Sequence, residues 1–173
     1  MDVLCMDKTG TLTNESILLE YYMDVLGNES EKVLDLAFLN SLCHSGACNP
    51  IDNAILACRT MPGHERHYAD VLARNRKMDE IPFDYSRKFV STLVADGNGG
   101  SQLIVKGDIS QVVARCSFVE YRGEVHSICG YGHQSVSSVV GEMLEDGMKV
   151  IAVARKNMEE RNRIAPSDEQ DLV

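Results

Sequence analysis

A chain of 173 residues, 44% hydrophobic and 25% charged, is sized for a single folded domain with a core of its own. Its net charge of −9 disfavours non-specific binding to nucleic acid or to an anionic membrane surface, so an anionic ligand needs a local cationic patch. No apolar run approaches the length of a membrane span.

The apolar run Val3-Leu4-Cys5-Met6 stops at Asp7 and is followed by Lys8-Thr9-Gly10-Thr11-Leu12-Thr13. This reads as a buried strand that delivers a carboxylate to its carboxyl end, where ligand sites of open α/β sheets lie. An aspartate there can attack a γ-phosphoryl group and hold it as an aspartyl-phosphate. Lys8 can offset part of the transferring group's charge, and Thr9 and Thr11 supply hydroxyl donors. Gly10 lets the backbone come close without a Cβ in the way.

Residues 17–26 form a β-rich run closed by Gly27-Asn28, which predicts a strand and its turn. Ser30 caps a predicted helix carrying Val33, Leu34, Leu36, Ala37 and Leu39 and ending at Gly46. Asn49-Pro50-Ile51-Asp52 opens a shorter helix that Pro62-Gly63 stops. His64-Glu65-Arg66-His67 begins a third, to about Asn75, and falls one residue short of zinc-protease spacing, so it reads as a solvated helix start. From Ile81 the period changes: residues 81–84, 89–96 and 102–106 read as strands, with Gly97-Asn98-Gly99-Gly100 making a hairpin. A helix over 109–116, a hairpin of 118–122 and 124–128 over Gly123, a helix over 135–144 and a strand over 149–155 follow. The tail, 159–170, is polar and reads as a connecting segment. Six cysteines at irregular spacings read as reduced thiols acting as small hydrophobes.

Strands joined mostly by hairpins, with helices before and between them, predict an α+β fold: a mainly antiparallel sheet with packed helices. The strand ending at Asp7 belongs to a different, doubly wound plan. Residues 1–13 are therefore expected to be a stub of a second domain, and 14–173 the domain proper.

The string Asp7-Lys8-Thr9-Gly10-Thr11-Leu12-Thr13 resembles the phosphorylation motif of the P-type ATPases, in which a nucleotide-binding domain is inserted just after that strand. Four further segments resemble the family in the right order. Pro82-Phe83-Asp84-Tyr85-Ser86-Arg87-Lys88 resembles its P-F-x-x-x-R-K segment, which implies that Phe83 stacks on adenine and Lys88 lies toward the phosphates. Strand pattern alone would make Phe83 a core aromatic. Lys106-Gly107 resembles the K-G of a K-G-A segment lining the adenine pocket, with Asp108 in place of the usual alanine. Asn49-Pro50-Ile51-Asp52-Asn53-Ala54 resembles P-x-E-x-A, so Asp52 is either an acceptor for the adenine amino group or simply a helix cap. Gly147-Met148-Lys149-Val150-Ile151-Ala152-Val153-Ala154 is similar to G-x-R-V-x-A-x-A, with Lys149 either facing the phosphates or a plain surface cation.

The resemblance implies ATP and Mg2+ as ligands, Asp7, Lys8 and Thr9 as catalytic residues, and Asp7 and Thr9 at the metal. It further implies partnership with the phosphorylation, actuator and membrane domains of one pump, no nucleic acid, and a cytoplasmic position on an integral membrane protein. The residues before the motif, residues 79–84 and the closing Ser167-Asp168-Glu169-Gln170-Asp171-Leu172-Val173 are most like bacterial magnesium-importing members. Rival readings are a haloacid dehalogenase-like phosphatase, which usually has a second Asp where this chain has Thr9, and a non-catalytic nucleotide-binding regulatory module.

Overall fold

The computed structural model describes residues 17–46, 49–95, 99–129 and 131–173. Helices α1 (Glu31–Cys43), α2 (Pro50–Leu56) and α3 (Glu65–Arg74) come first, with a 3-10 turn over Ala57–Thr60. Strands β1 (Arg76–Ile81), β2 (Phe89–Ala95) and β3 (Ser101–Asp108) follow, then α4 (Ile109–Val113), β4 (Phe118–Tyr121), β5 (Glu124–Ser127), α5 (Tyr131–Glu145) and β6 (Ile151–Met158). The order β1-β2-β3-β6 makes one fully antiparallel sheet, and β4 and β5 pair separately. The predicted α+β class is what the chain adopts. Among the described residues no helix is long and apolar enough to cross a membrane.

Alternation along the central strands gives the sheet two buried faces. Val94 and Ile104 pack with Leu39 and Cys43 beneath α1, and a neighbouring cluster joins Leu34, Phe38, Ile55, Cys58 and Tyr68 of the first three helices. On the other face Phe89, Leu103, Val105 and Ala154 pack with Val112 of α4 and Leu172 of the tail. Within α1, the buried Asn40 amide donates to the carbonyl oxygens of Ile104 (2.9 Å) and Val90 (3.4 Å) and to Thr92 Oγ1 (3.3 Å). It thereby fixes the helix against two strands at once.

Three expectations are corrected. Residues 17–26 form no strand: Met23 and Glu29 make an isolated bridge, because the Asp24 carboxylate accepts from the Leu26 (2.9 Å) and Asn28 (3.0 Å) amides and bends the chain. The first strand of the sheet is residues 76–81 rather than 81–84, since Pro82 lacks an amide hydrogen to continue a ladder. The tail is no loose connector. It carries a short 3-10 helix (Pro166–Asp168), then buries Glu169 and Leu172 against the sheet. Remaining boundaries move by a few residues; α1 ends at Cys43 rather than Gly46, and α5 starts at Tyr131. The motif residues Asp7, Lys8 and Thr9 lie outside the described residues.

Candidate functional site

Register decides which residues share an end of the sheet. Phe89 pairs with Gly107, Val90 with Lys106, Gly107 with Ala152 and Asp108 with Ile151. The loop before β2, the last residues of β3 and the residues leading into β6 are therefore neighbours. Phe83, Lys88, Lys106, Gly107 and Lys149 come from these three segments, and Asp52 is carried to the same end by α2.

Lys106 reaches under the helices, where its ammonium donates to Asp52 Oδ1 and to Ser41 Oγ. The lysine is 5% exposed and the aspartate 2%. Asp52 is placed by its helix start: Pro50 occupies the first turn, and Asn49 Oδ1 accepts from the Asp52 amide at 2.9 Å. The cap belongs to Asn49, so Asp52 is free of that duty and turns its carboxylate to the lysine.

The loop over residues 82–88 is preorganised by its own side chains. Asp84 Oδ1 accepts from the amides of Ser86 (2.7 Å) and Arg87 (3.3 Å) and from the Ser86 hydroxyl. The Ser86 hydroxyl, then the two amides, hold the Asp84 carboxyl below the usual aspartate range. Lys88 closes the loop in the left-handed region (φ 59°), and its carbonyl accepts from the Asp108 amide at 2.9 Å. Phe83 is 47% exposed, edge-on to Tyr85 with ring centroids 5.4 Å apart. Strand alternation would have made it core. The core aromatic is instead Phe89, fully buried with the guanidinium groups of Arg87 and Arg115 at 4.8 and 4.5 Å from its ring centroid.

Gly107 has a structural reason of its own: a Cβ there would lie 2.4 Å from the Lys88 carbonyl oxygen and from Phe89 Cβ. The close approach it permits here is between two strands. Lys149 is exposed, two residues before β6. A cavity of about 920 Å³, lined mostly by apolar residues drawn from residues 17–30, α1, α2, α4, β4, α5 and β6, takes in Lys149 but none of Asp52, Phe83, Lys88, Lys106 or Gly107. Among the described residues no group of three or more His, Cys, Asp or Glu could hold a metal ion, and His67 of the near-zinc spacing sits 2.8 Å from Asp35 Oδ1. The expected metal residues, Asp7 and Thr9, lie outside the described residues.

Two residues escaped the sequence reading, Arg87 as a structural member and Glu169. Arg87 Nη1 donates to both Glu169 oxygens (2.6 and 2.8 Å), although they are 82 positions apart. No local pattern marks such a pair; the only available signal was a carboxylate in a stretch that otherwise reads as solvated.

The family model "P-type ATPase, cytoplasmic domain N" matches residues 47–172. The chain is 38% identical over 175 residues to "Magnesium-transporting ATPase, P-type 1" of Escherichia coli, covering 100% of this chain and 19% of the relative. It is 36% identical over 183 residues to the Salmonella typhimurium protein of the same name, again covering 100% and 19%. A calcium-transporting ATPase of Listeria monocytogenes is 28% identical over 190 residues, covering 99% of this chain and 21% of the relative. The chain thus spans about a fifth of the length of the relatives it matches.

Proposed function

Since the chain belongs to the P-type ATPases and matches their cytoplasmic domain N, we propose that it is the ATP-binding domain of a cation pump of the magnesium-transporting kind. The choice of ion follows from identity, 36–38% to magnesium-transporting relatives against 28% to a calcium-transporting one. In this reading the domain stands on the cytoplasmic side of an integral membrane protein and works with that protein's phosphorylation, actuator and membrane domains.

The observation that carries the nucleotide assignment is Phe83. A large apolar ring left 47% exposed, on a loop locked by its own hydrogen bonds, is a stacking platform in search of a flat partner. Base stacking on an aromatic ring contributes roughly 1–3 kcal/mol in nucleic-acid complexes. Lys88 and Lys149, both exposed at this end of the sheet, would neutralise the phosphates. Lys106 and Asp52 would form the pocket floor, the lysine through its stem and the aspartate by holding the lysine ammonium, with Gly107 holding the strands close beneath them. Asp7 would take the γ-phosphoryl group as an aspartyl-phosphate, helped by Lys8 and Thr9, with Mg2+ at Asp7 and Thr9 offsetting charge on the phosphates.

The test is calorimetric titration of the chain with ATP and ADP. One stack and a few lysines on flexible phosphates imply a dissociation constant of about 0.1–1 mM, with ADP binding about as well as ATP. Phe83→Ala should nearly abolish binding; normal affinity in that variant would remove Phe83 from the site.

A further inference from the structure

Glu169 is 2% exposed, in a stretch whose neighbours are mostly polar and exposed. Its carboxylate accepts from Arg87 Nη1 (2.6 and 2.8 Å) and from the Ser91 hydroxyl (2.7 Å). The other terminal nitrogen of Arg87 donates to the Pro82 carbonyl at 2.6 Å, directly before Phe83. The same guanidinium lies over the Phe89 ring. Arg87 thus spans the loop from one end to the other, and Glu169 holds Arg87 from below.

Glu169 is itself immobilised from both sides. Upstream, the Ile164 amide donates to Asp79 Oδ2 and the Ala165 amide to Asp168 Oδ2, both at 2.9 Å. Downstream, Leu172 is fully buried against the Phe89 cluster, and Val173 exchanges backbone hydrogen bonds of 2.9 Å with Arg155 of β6. A carboxylate buried this deeply is costly to desolvate, and an apolar side chain of similar volume would serve stability as well. What the apolar side chain could not do is grip a guanidinium whose far end fixes the carbonyl before Phe83.

We infer that Glu169 is a positioning residue for the nucleotide: acting through Arg87, it sets the loop that presents Phe83 and Lys88. The inference rests on the reading of Phe83 as the adenine platform. Glu169 touches no ligand; it fixes the geometry in which stacking and phosphate contact occur together.

Three variants of the 173-residue chain test it, each melted thermally and titrated with ATP well below its own midpoint. Ser91→Ala removes one hydrogen bond to Glu169 and leaves the Arg87 contacts, so it should lower the melting temperature while keeping ATP affinity within about twofold. Glu169→Gln removes the charge that holds Arg87 and should weaken ATP about tenfold. Glu169→Asp keeps the charge but retracts it by a methylene, and should weaken ATP by roughly threefold; it decides the matter should the glutamine variant not fold. Affinity in the Glu169 variants equal to that of Ser91→Ala, at matched loss of melting temperature, would make Glu169 a stability residue and overturn the inference. Phe83→Ala, run alongside, separates the two levels. If it binds ATP normally the parent reading is wrong; if it loses binding while Glu169→Gln does not, only the present inference fails.

Discussion

Lys106 and Asp52 meet beneath α1 as an ion pair from which water is all but excluded, one partner from the end of the third strand and the other from the first turn of the second helix. Buried pairs are asymmetric: both partners together can roughly break even, but removing one leaves the other charge in a medium that solvates it poorly. Asp52→Ala should therefore destabilise the chain by about 3–5 kcal/mol, while the joint replacement Asp52→Leu with Lys106→Met should recover much of that loss. Urea unfolding of the three proteins checks it. A single-variant loss below about 1 kcal/mol would mean that the pair is solvated in solution.

Phe83 and Phe89 give opposite expectations for the same chemical change. Phe89 is fully buried, and Phe89→Ala should cost about 3–5 kcal/mol. Phe83 is half exposed, and Phe83→Ala should stay within about 1 kcal/mol of wild type. Thermal melting of the two variants separates them directly, independently of any ligand.

These two rings also show how far the sequence could be read. Position in the motif singles out Phe83, but which of the two aromatics faces the core depends on where the first strand stops, and that strand was misplaced. Arg76, Lys77, Asp79 and Glu80 make β1 a polar run, because it is an edge strand with a register shift between Lys77 and Asp79, and edge strands need no apolar alternation. By contrast the hairpins β2–β3 and β4–β5 and the start of α2 at Asn49-Pro50 were legible, since turn and helix-start chemistry is local, although the cap falls to Asn49 and not to Asp52. Residues 17–26 have strand composition, yet a single aspartate turn outweighs it. The pairing of Arg87 with Glu169 was invisible for the opposite reason: it joins the middle of the chain to its last residues, which only the tertiary fold brings together.

Gly107→Ala tests the crowding between β2 and β3. The added Cβ would sit 2.4 Å from the Lys88 carbonyl oxygen and 2.5 Å from Phe89 Cα, which are backbone atoms that no rotamer change can move aside. Overpacking of this kind typically costs about 1–3 kcal/mol, and the loop ending at Lys88 should shift with it. The expected outcome is a lowered melting temperature together with weaker ATP binding. An alanine variant with wild-type stability would show that the strands can part at no cost.

Cys116 offers a pH-dependent test of the core on the α4 side of the sheet. Its thiol donates to the Val112 carbonyl at 3.3 Å, and it packs against the cluster around Phe89 and Leu172. Burial pushes its pKa up from 9.0 to about 11. Below pH 9 the thiol is neutral in both folded and unfolded chains and contributes nothing to pH dependence. Between 9 and 11 the unfolded chain releases the proton while the folded chain retains it, so stability falls as pH rises. A shift of this size corresponds to about 2–3 kcal/mol. The stability difference between wild type and Cys116→Ala should therefore move against wild type by about that amount from pH 8 to pH 11, whatever the packing cost of the substitution. Cys43 and Cys58, whose thiols burial also pushes up, contribute equally to both proteins and cancel in the comparison. A difference that does not change with pH would place Cys116 in contact with solvent rather than in this core.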